Sequence, residues 1–373
     1  MTHRERVIRT LNHEEVDRVP MDLGGVASTI TDKTYFSLKD YLGITGREGE
    51  EIWEEWAVVA KVHPDILKQL DVDFMHIRMN PPKDWSPKRY PDGSFTNEWG
   101  TKWKKVGFYS EMVDFPLKNA TIEDLNNYPW PDPHAPGRTD GLRKRVKYLY
   151  ENTDYALATF DIGRLIEWCQ WVRGFQQFME DLVLNPDFVI KLMDKVLEIQ
   201  KGFFEVLLDA VGDYIQVVTC GDDLGSQSGL LMSPQLYRDL IKPRHSKLFH
   251  FIKKRTQAKI FFHSDGAIYP LVPDLVEAGI DILNPVQPLA KGMSQRKVKE
   301  EFRDKLCFWG GVDTQKILPF GTREEVSFEV KRVIRTLGAN GGLILSPAHN
   351  LQPDVPPENI VTLYRTAKEC GRS

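Results

Sequence analysis

Eight short runs rich in β-branched and aromatic residues recur along this chain, separated for the most part by segments with helical apolar spacing. The runs are Arg18–Asp22, Asp73–Ile77, Tyr155–Phe160, Tyr214–Thr219, Lys259–His263, Asp281–Asn284, Leu306–Trp309 and Gly342–Ser346. The helical segments are Asp32–Leu42, Gly141–Tyr150, a long stretch Leu165–Ala210, Ser233–Lys254, Ala267–Ala278, Ser294–Phe302, Arg323–Leu337 and Pro356–Lys368. Strands that alternate with helices are joined by crossovers and lie parallel in one sheet. Eight such units predict an α/β chain closed into a (β/α)8 TIM barrel, with an open doubly wound sheet as the alternative.

Residues 1–373 are read as one barrel domain. Thr2 and Glu5 have capping-box spacing ahead of Val7, Ile8 and Leu11, which predicts a short helix before the first strand. Residues 80–134, rich in proline, tryptophan and charge, break the alternation. They read as an insertion after the second strand, with a hairpin formed by Thr96–Lys104 and Met112–Phe115. It serves either as a lid or as a tolerated loop.

Charge and cysteine usage exclude several classes. A formal net charge of −4, with no long basic run, leaves nothing to attract a phosphate backbone, so nucleic acid is not an expected partner. No apolar run is long enough to span a bilayer, and the opening MTHRERVIRTL has no signal-peptide core; a cytoplasmic protein without membrane contact is expected. Cys169, Cys220, Cys307 and Cys370 form no CxxC pair, against a disulfide framework or a thiolate zinc cluster. A homodimer is the default assembly for such a chain.

In a barrel, chemistry sits just beyond the carboxyl ends of the strands. Here those ends carry Asp22 in MDLGG, Asp161 in TFDIG, Asp222 and Asp223 in TCGDDLG, and His263 and Asp265 in FFHSDG. They continue with Asn284 and Gln287 in LNPVQ, Asp313 in WGGVDT and His349 in SPAHN. Any one aspartate there is more often a turn or helix cap than a catalyst. Gathered on one rim, carboxylates and imidazoles can bind a metal or move protons. His263 and Asp265, two apart at a strand end, point to one side if the strand geometry persists. His349 can complete a three-ligand site with an open position, of the catalytic zinc kind. The alternative is a histidine hydrogen-bonded to a neighbouring aspartate. Lacking thiolates, the site also suits harder divalent ions. His245 and His250, on a helical stretch, are expected to be solvated or to cap.

Five segments carry a further signal: THRERVIRTLNHEEVDRVP, GDDLGSQSGLLMSPQLYRDLIKPRHSKL, FFHSDG, FWGGVDT and PAHNLQPDVPPENI. Together they resemble the uroporphyrinogen decarboxylase superfamily, in particular its corrinoid-linked methyltransferase branch. The resemblance implies a (β/α)8 barrel. True decarboxylases of that superfamily carry an arginine-containing RQAGR-type motif after the first strand, where this chain reads MDLGGVAS. The coenzyme M methyltransferases carry H-x-C and a later Cys on zinc, where this chain has His263, Asp265 and, near the second Cys, His349. The pattern is closer to members that demethylate methyl ethers, especially methoxylated aromatics, onto the Co(I) corrinoid of a separate small protein.

The expectation is therefore a corrinoid-protein-dependent O-demethylase methyltransferase. His263, Asp265 and His349 would hold Zn2+, while Asp222, Asp223, Asp313 and Asp161 would orient substrate or move protons. Asp22, Asn284 and Gln287 would face a small methyl donor, and the corrinoid would arrive on a partner docked over the mouth. The alternatives are methyl transfer from a methylated corrinoid to a thiol, decarboxylation of a porphyrinogen or simpler acid, and a non-catalytic scaffold for a corrinoid protein.

Overall fold

The computed structural model describes residues 1–45, 52–107, 109–160 and 163–370. Seven parallel strands form one sheet: β1 (Phe74–Ile77), β2 (Ala156–Thr159), β3 (Val217–Gly221), β4 (Lys259–His263), β5 (Ile282–Asn284), β6 (Cys307–Val312) and β7 (Leu343–Pro347). They lie in sequence order from β1 to β7. The predicted first strand, Arg18–Asp22, is reduced to a parallel bridge between Met21 and Leu345. That segment still spans the gap between the sheet edges. Asp22 N donates to Leu345 O at 3.0 Å and Leu345 N to Pro20 O at 2.8 Å on one side, and Asp73 N to Met21 O at 2.8 Å on the other. The ring closes as a TIM barrel. Pro20 has no N–H to extend the ladder, and Gly24, at φ 110°, turns the chain away immediately after it.

Inward-facing side chains fill the barrel. Phe74, Ala156, Ala158, Val217, Phe261, Ile282, Cys307, Trp309 and Ile344 make one buried cluster, into which Val7 and Leu11 of the first helix insert. That helix, His3–Leu11, has both halves of the predicted capping box: Glu5 N donates to Thr2 Oγ1 at 3.2 Å and Thr2 N to Glu5 Oε2 at 2.9 Å. Its Arg4 N bonds Asp154 O just before β2, which places it across the amino-terminal end of the barrel. The opposite, carboxyl-terminal end is left for the site. A second, larger core lies between the outward strand faces and the surrounding helices. No helix among the described residues is long and apolar enough to cross a membrane.

The outer layer follows the predicted segments with informative breaks. The stretch Leu165–Ala210 is three helices, Ile166–Arg173, Phe175–Leu184 and Pro186–Val211, parted by Gly174 at φ 91° and by Asn185 ahead of a proline. Ser233–Lys254 resolves into Pro234–Leu236, a π-turn Tyr237–Ile241 and Lys242–Lys253. The wide turn falls just before Pro243, which cannot donate to the helical ladder. A helix at Pro64–Leu70 and a small sheet of Ile30–Thr31, Val59–Ala60 and Ile52–Glu54 carried no periodicity long enough to be recognised.

After β1, the insertion folds into a four-stranded antiparallel sheet, Lys88–Arg89, Phe95–Thr96, Lys102–Val106 and Tyr109–Asp114. The predicted hairpin is present, with Trp103 opposite Met112. Thr96 belongs to the preceding strand instead, because a turn at Asn97–Gly100, with Gly100 at φ 77°, separates the two. The sheet is fastened to the helix after β2: Phe95 and Trp103 pack with Trp171, and Thr101 Oγ1 donates to Trp171 O at 2.7 Å.

Candidate metal centre

The last residue of β4 is His263, paired in register with Asn284 at the end of β5. Asn284 Nδ2 donates to Trp309 O at 2.9 Å, which turns its Oδ1 toward His263 Nδ1 at 2.6 Å. Nδ1 is thus the protonated nitrogen and Nε2 presents its lone pair, the arrangement that metal-ligating histidines share. Two residues on, Asp265 N donates to Asp223 Oδ1 at 2.9 Å. Asp265 places Oδ1 at 3.9 Å from His263 Nε2 and Oδ2 at 3.6 Å from His349 Nε2. His349 comes from the loop after β7, tied down by the bond from Ala348 N to Val312 O.

One ligand atom from each of His263, Asp265 and His349 lies within 4.8 Å of the others. The imidazole rings are 5.8 Å apart, inclined by 51°. Asp265 Oδ1 is buried and has no hydrogen-bond partner among the described residues. A buried carboxylate oxygen left in this state is costly unless a cation or donor meets it. Two imidazole nitrogens and one carboxylate, with His349 still 39% exposed on the open side, fit a divalent ion that keeps a free coordination position. The fit rests on this donor set and on the orphaned oxygen.

The other expected residues divide sharply. Asp223, half-exposed, has Oδ1 at 3.9 Å from His263 Nε2 and borders the trio. Its neighbour Asp222 faces the other way. It is buried and accepts from Leu165 N and Glu167 N, both at 2.9 Å, and from His245 Nε2 at 2.8 Å. Burial pushes the Asp222 carboxyl up, and the bond from His245 opposes that. His245 is therefore neither solvated nor capping, as its helical setting suggested; it is buried between Asp222 and Tyr237 OH, 3.1 Å from Nδ1. His250 is exposed.

Asp313 closes the turn at Ile317–Phe320 by accepting from Gln315 N at 2.8 Å and Ile317 N at 3.3 Å. Gln287 Oε1 accepts from Gly266 N at 2.9 Å and Gln227 Nε2 at 3.0 Å, which holds the loop that carries Asp265. Asp161 lies outside the described residues. Asp22 is wholly buried, bonded to Ser28 Oγ and, at 2.8 Å, to His76 Nε2. His76 was not singled out by its sequence context. Its signal was a lone histidine inside the apolar strand FMHI, on the same face as the inward Phe74.

Asp222→Ala strips a shared acceptor from three buried donors. It is expected to cost about 3 kcal/mol of stability, read from the denaturant midpoint, while elemental analysis finds the metal retained. Equal loss of metal would instead place Asp222 in the centre itself.

A uroporphyrinogen decarboxylase of Geobacter sulfurreducens is 24% identical over 176 residues, 47% of either chain. One of Pseudomonas fluorescens is 22% identical over 279 residues, 71% of this chain and 74% of that one. The chain thus spans about half the length of some curated relatives, 47% and 49% in two of them, and about three quarters of another, 74%. Among solved structures, a methyltransferase from Methanosarcina mazei superposes with a TM-score of 0.68 at 19% identity, covering 99% of both chains, a likeness of fold. The uroporphyrinogen decarboxylase (URO-D) family model matches residues 110–370, well over half the chain, and this chain belongs to that family.

Proposed function

We propose that this protein is the methyltransferase component of an O-demethylase, taking a methyl group from a small methoxylated aromatic and passing it to the Co(I) corrinoid of a partner protein. The observation that carries the reading is the thiolate-free trio His263, Asp265 and His349 at the carboxyl-terminal end of the barrel. Family membership and the methyltransferase of the same fold support it. So does the segment MDLGGVAS, which offers no arginine for porphyrinogen carboxylates.

In the transfer, the methyl–oxygen bond breaks and a cobalt–carbon bond forms. Cobalt supplies the electron pair to carbon, and the ether pair stays on oxygen, which must be protonated or otherwise stabilised. A divalent ion held by His263, Asp265 and His349, Zn2+ being the expected one, would supply Lewis-acid stabilisation of that oxygen. Asn284 keeps Nε2 of His263 turned to the centre. Asp223 borders the trio with its carboxylate partly open to solvent, and is the acid we assign to orient substrate or return the proton. Asp222, Asp313 and Gln287 hold the surrounding backbone in place.

The test is to incubate the metal-loaded protein with a Co(I) corrinoid protein and a panel of methoxyarenes. The spectral change of cobalt methylation is expected with at least one of them. No change with any ether would remove the proposal. The names of the curated relatives favour decarboxylation as the second reading; it predicts CO2 release from a porphyrinogen or simpler acid without any cobalt.

A further inference from the structure

An aspartate in a loop ordinarily folds its carboxylate back onto the amide N–H groups that follow it. This chain does so repeatedly. Asp32 and Asp114 accept from the N–H of the next residue, at 2.6 and 3.0 Å. Asp92, Asp132 and Asp313 accept from that of the residue two further on, at 3.1, 2.8 and 2.8 Å. Asp313 lies just beyond the carboxyl end of β6, as Asp265 lies just beyond that of β4.

Asp265 departs from this pattern, and the reason lies in its neighbours. Every amide N–H from Ser264 to Ile268 is engaged away from its carboxylate. Ser264 N donates to Asn284 O at 3.0 Å, Asp265 N to Asp223 Oδ1 at 2.9 Å, Gly266 N to Gln287 Oε1 at 2.9 Å, Ala267 N to Ser226 O at 2.8 Å and Ile268 N to Gly266 O at 3.0 Å. The loop after β3 reaches these groups because it lies directly on Gly266, at φ 85°: a Cβ there would stand 2.6 Å from Gly225 C and O and from Ser226 O. Gln287 is buried, and the exposed Gln227 braces it by donating from Nε2 to the same Oε1 at 3.0 Å. Asp265 Oδ1 is thereby left without a donor from its own loop, 3.9 Å from His263 Nε2.

We infer that Gln287 is a positioning residue of the metal centre: by occupying Gly266 N–H it denies Asp265 the nearest donor in its own loop and keeps the carboxylate open to a divalent ion. Without that acceptor the carboxylate closes on Gly266 N, as Asp32 and Asp114 close on the residues after them, and turns from His263 and His349. The inference rests on the trio of the proposed reading and is measurable without corrinoid or substrate. Zn2+ affinity is read by competition with a chromophoric chelator in the wild type, Gln287→Met, Asp265→Ala and the double variant. Gln287→Met keeps the length of the side chain and loses the acceptor; it is expected to bind about 10- to 100-fold more weakly. Gln287→Glu, which still offers an oxygen to Gly266 N, should bind at least as tightly as the wild type. Because Gln287 acts through Asp265, its loss should cost nothing further once Asp265 is alanine, a coupling that general loosening of the loop would not produce.

Wild-type affinity in Gln287→Met, or an equal loss in the Asp265→Ala background, overturns the inference and leaves the metal centre standing. Should Gln287→Met not fold, Gln227→Ala at its exposed position makes the same comparison, and the same two outcomes decide it. Tight Zn2+ binding with the expected coupling, but no cobalt methylation from any ether, sinks the demethylase reading alone. No Zn2+ binding by the wild type removes the centre and the inference together.

Discussion

His263→Ala is expected to empty the metal centre and to slow methyl transfer about 1,000-fold, with little change in the fold. The magnitude follows from the several kcal/mol of charge stabilisation that a Lewis acid contributes, each 1.36 kcal/mol being about a factor of ten. The fold should persist because His263 sits at the end of β4 with its ring hydrogen-bonded to Asn284, beyond the packed interior of Phe74, Phe261 and Trp309. His349→Ala should behave alike, since its imidazole is more exposed and meets Asp265 at 3.6 Å. Asn284→Ala provides the graded case. It removes no ligand but releases Nδ1 of His263, and a loss of about 10- to 100-fold in metal affinity is expected. Elemental analysis and turnover should fall together across the three variants. Metal content that stays at wild-type level in His263→Ala and His349→Ala alike would show that these side chains do not form the centre.

The largest effect on stability is expected at the other end of the molecule. Asp73 is wholly buried at the foot of β1, and five donors converge on it. Oδ1 meets Arg6 Nη1 at 2.5 Å, His3 Nδ1 at 2.8 Å and Arg18 Nη2 at 3.2 Å; Oδ2 meets Arg18 Nη1 and Met21 N, both at 2.7 Å. The same carboxylate thus joins the first helix, the closing segment at Met21 and β1. Asp73→Ala leaves two buried guanidinium groups without their shared anion. A loss of about 3–5 kcal/mol is expected, measured as a lower denaturant midpoint, with the metal centre unaltered in whatever fraction remains folded. A change below about 0.5 kcal/mol would show that surface burial rather than this network closes the barrel.

The rim of that network also responds to acid. The hydrogen bond from Arg6 holds the Asp17 carboxyl at about 2, against the opposing effect of partial burial. Its folded value lies below an unfolded value of about 3.9. Its contribution is therefore present in full above that value and is lost as pH falls towards 2. Exposure of the Asp17 side chain keeps that contribution small beside that of Asp73.

Seven of the eight strand runs were legible because strands of a parallel barrel are buried on both faces and read as short continuous apolar stretches, bounded by Gly, Asp and Asn. The eighth was legible as a position rather than as a strand: Met21 lies between the two sheet edges, but Pro20 and Gly24 limit it to one bridge. His263 and Asp265 were recognisable because strand-end placement and two-residue spacing are local properties. His349 and its closeness to Asp265 depended on barrel closure, since more than eighty residues separate them in the chain.

The adjacent aspartates 222 and 223 show where local reading stops. Both follow β3, and nothing in TCGDDLG tells them apart. A strand-end carboxylate takes its role from the donors that reach it, and those donors come from distant segments. For Asp222 they are Leu165, Glu167 and His245; for Asp223 they include Asp265 N, and His263 lies nearby. His76 was hidden for the same reason. Its neighbours in sequence are apolar, while its partner Asp22 comes from another stave, fifty-four residues away. Apolar periodicity by itself determined the barrel and the end at which chemistry collects, because burial is a sum over many residues. Which carboxylates anchor backbone, and which stay open toward a metal or substrate, was decided only when the staves closed and each acceptor met its donors.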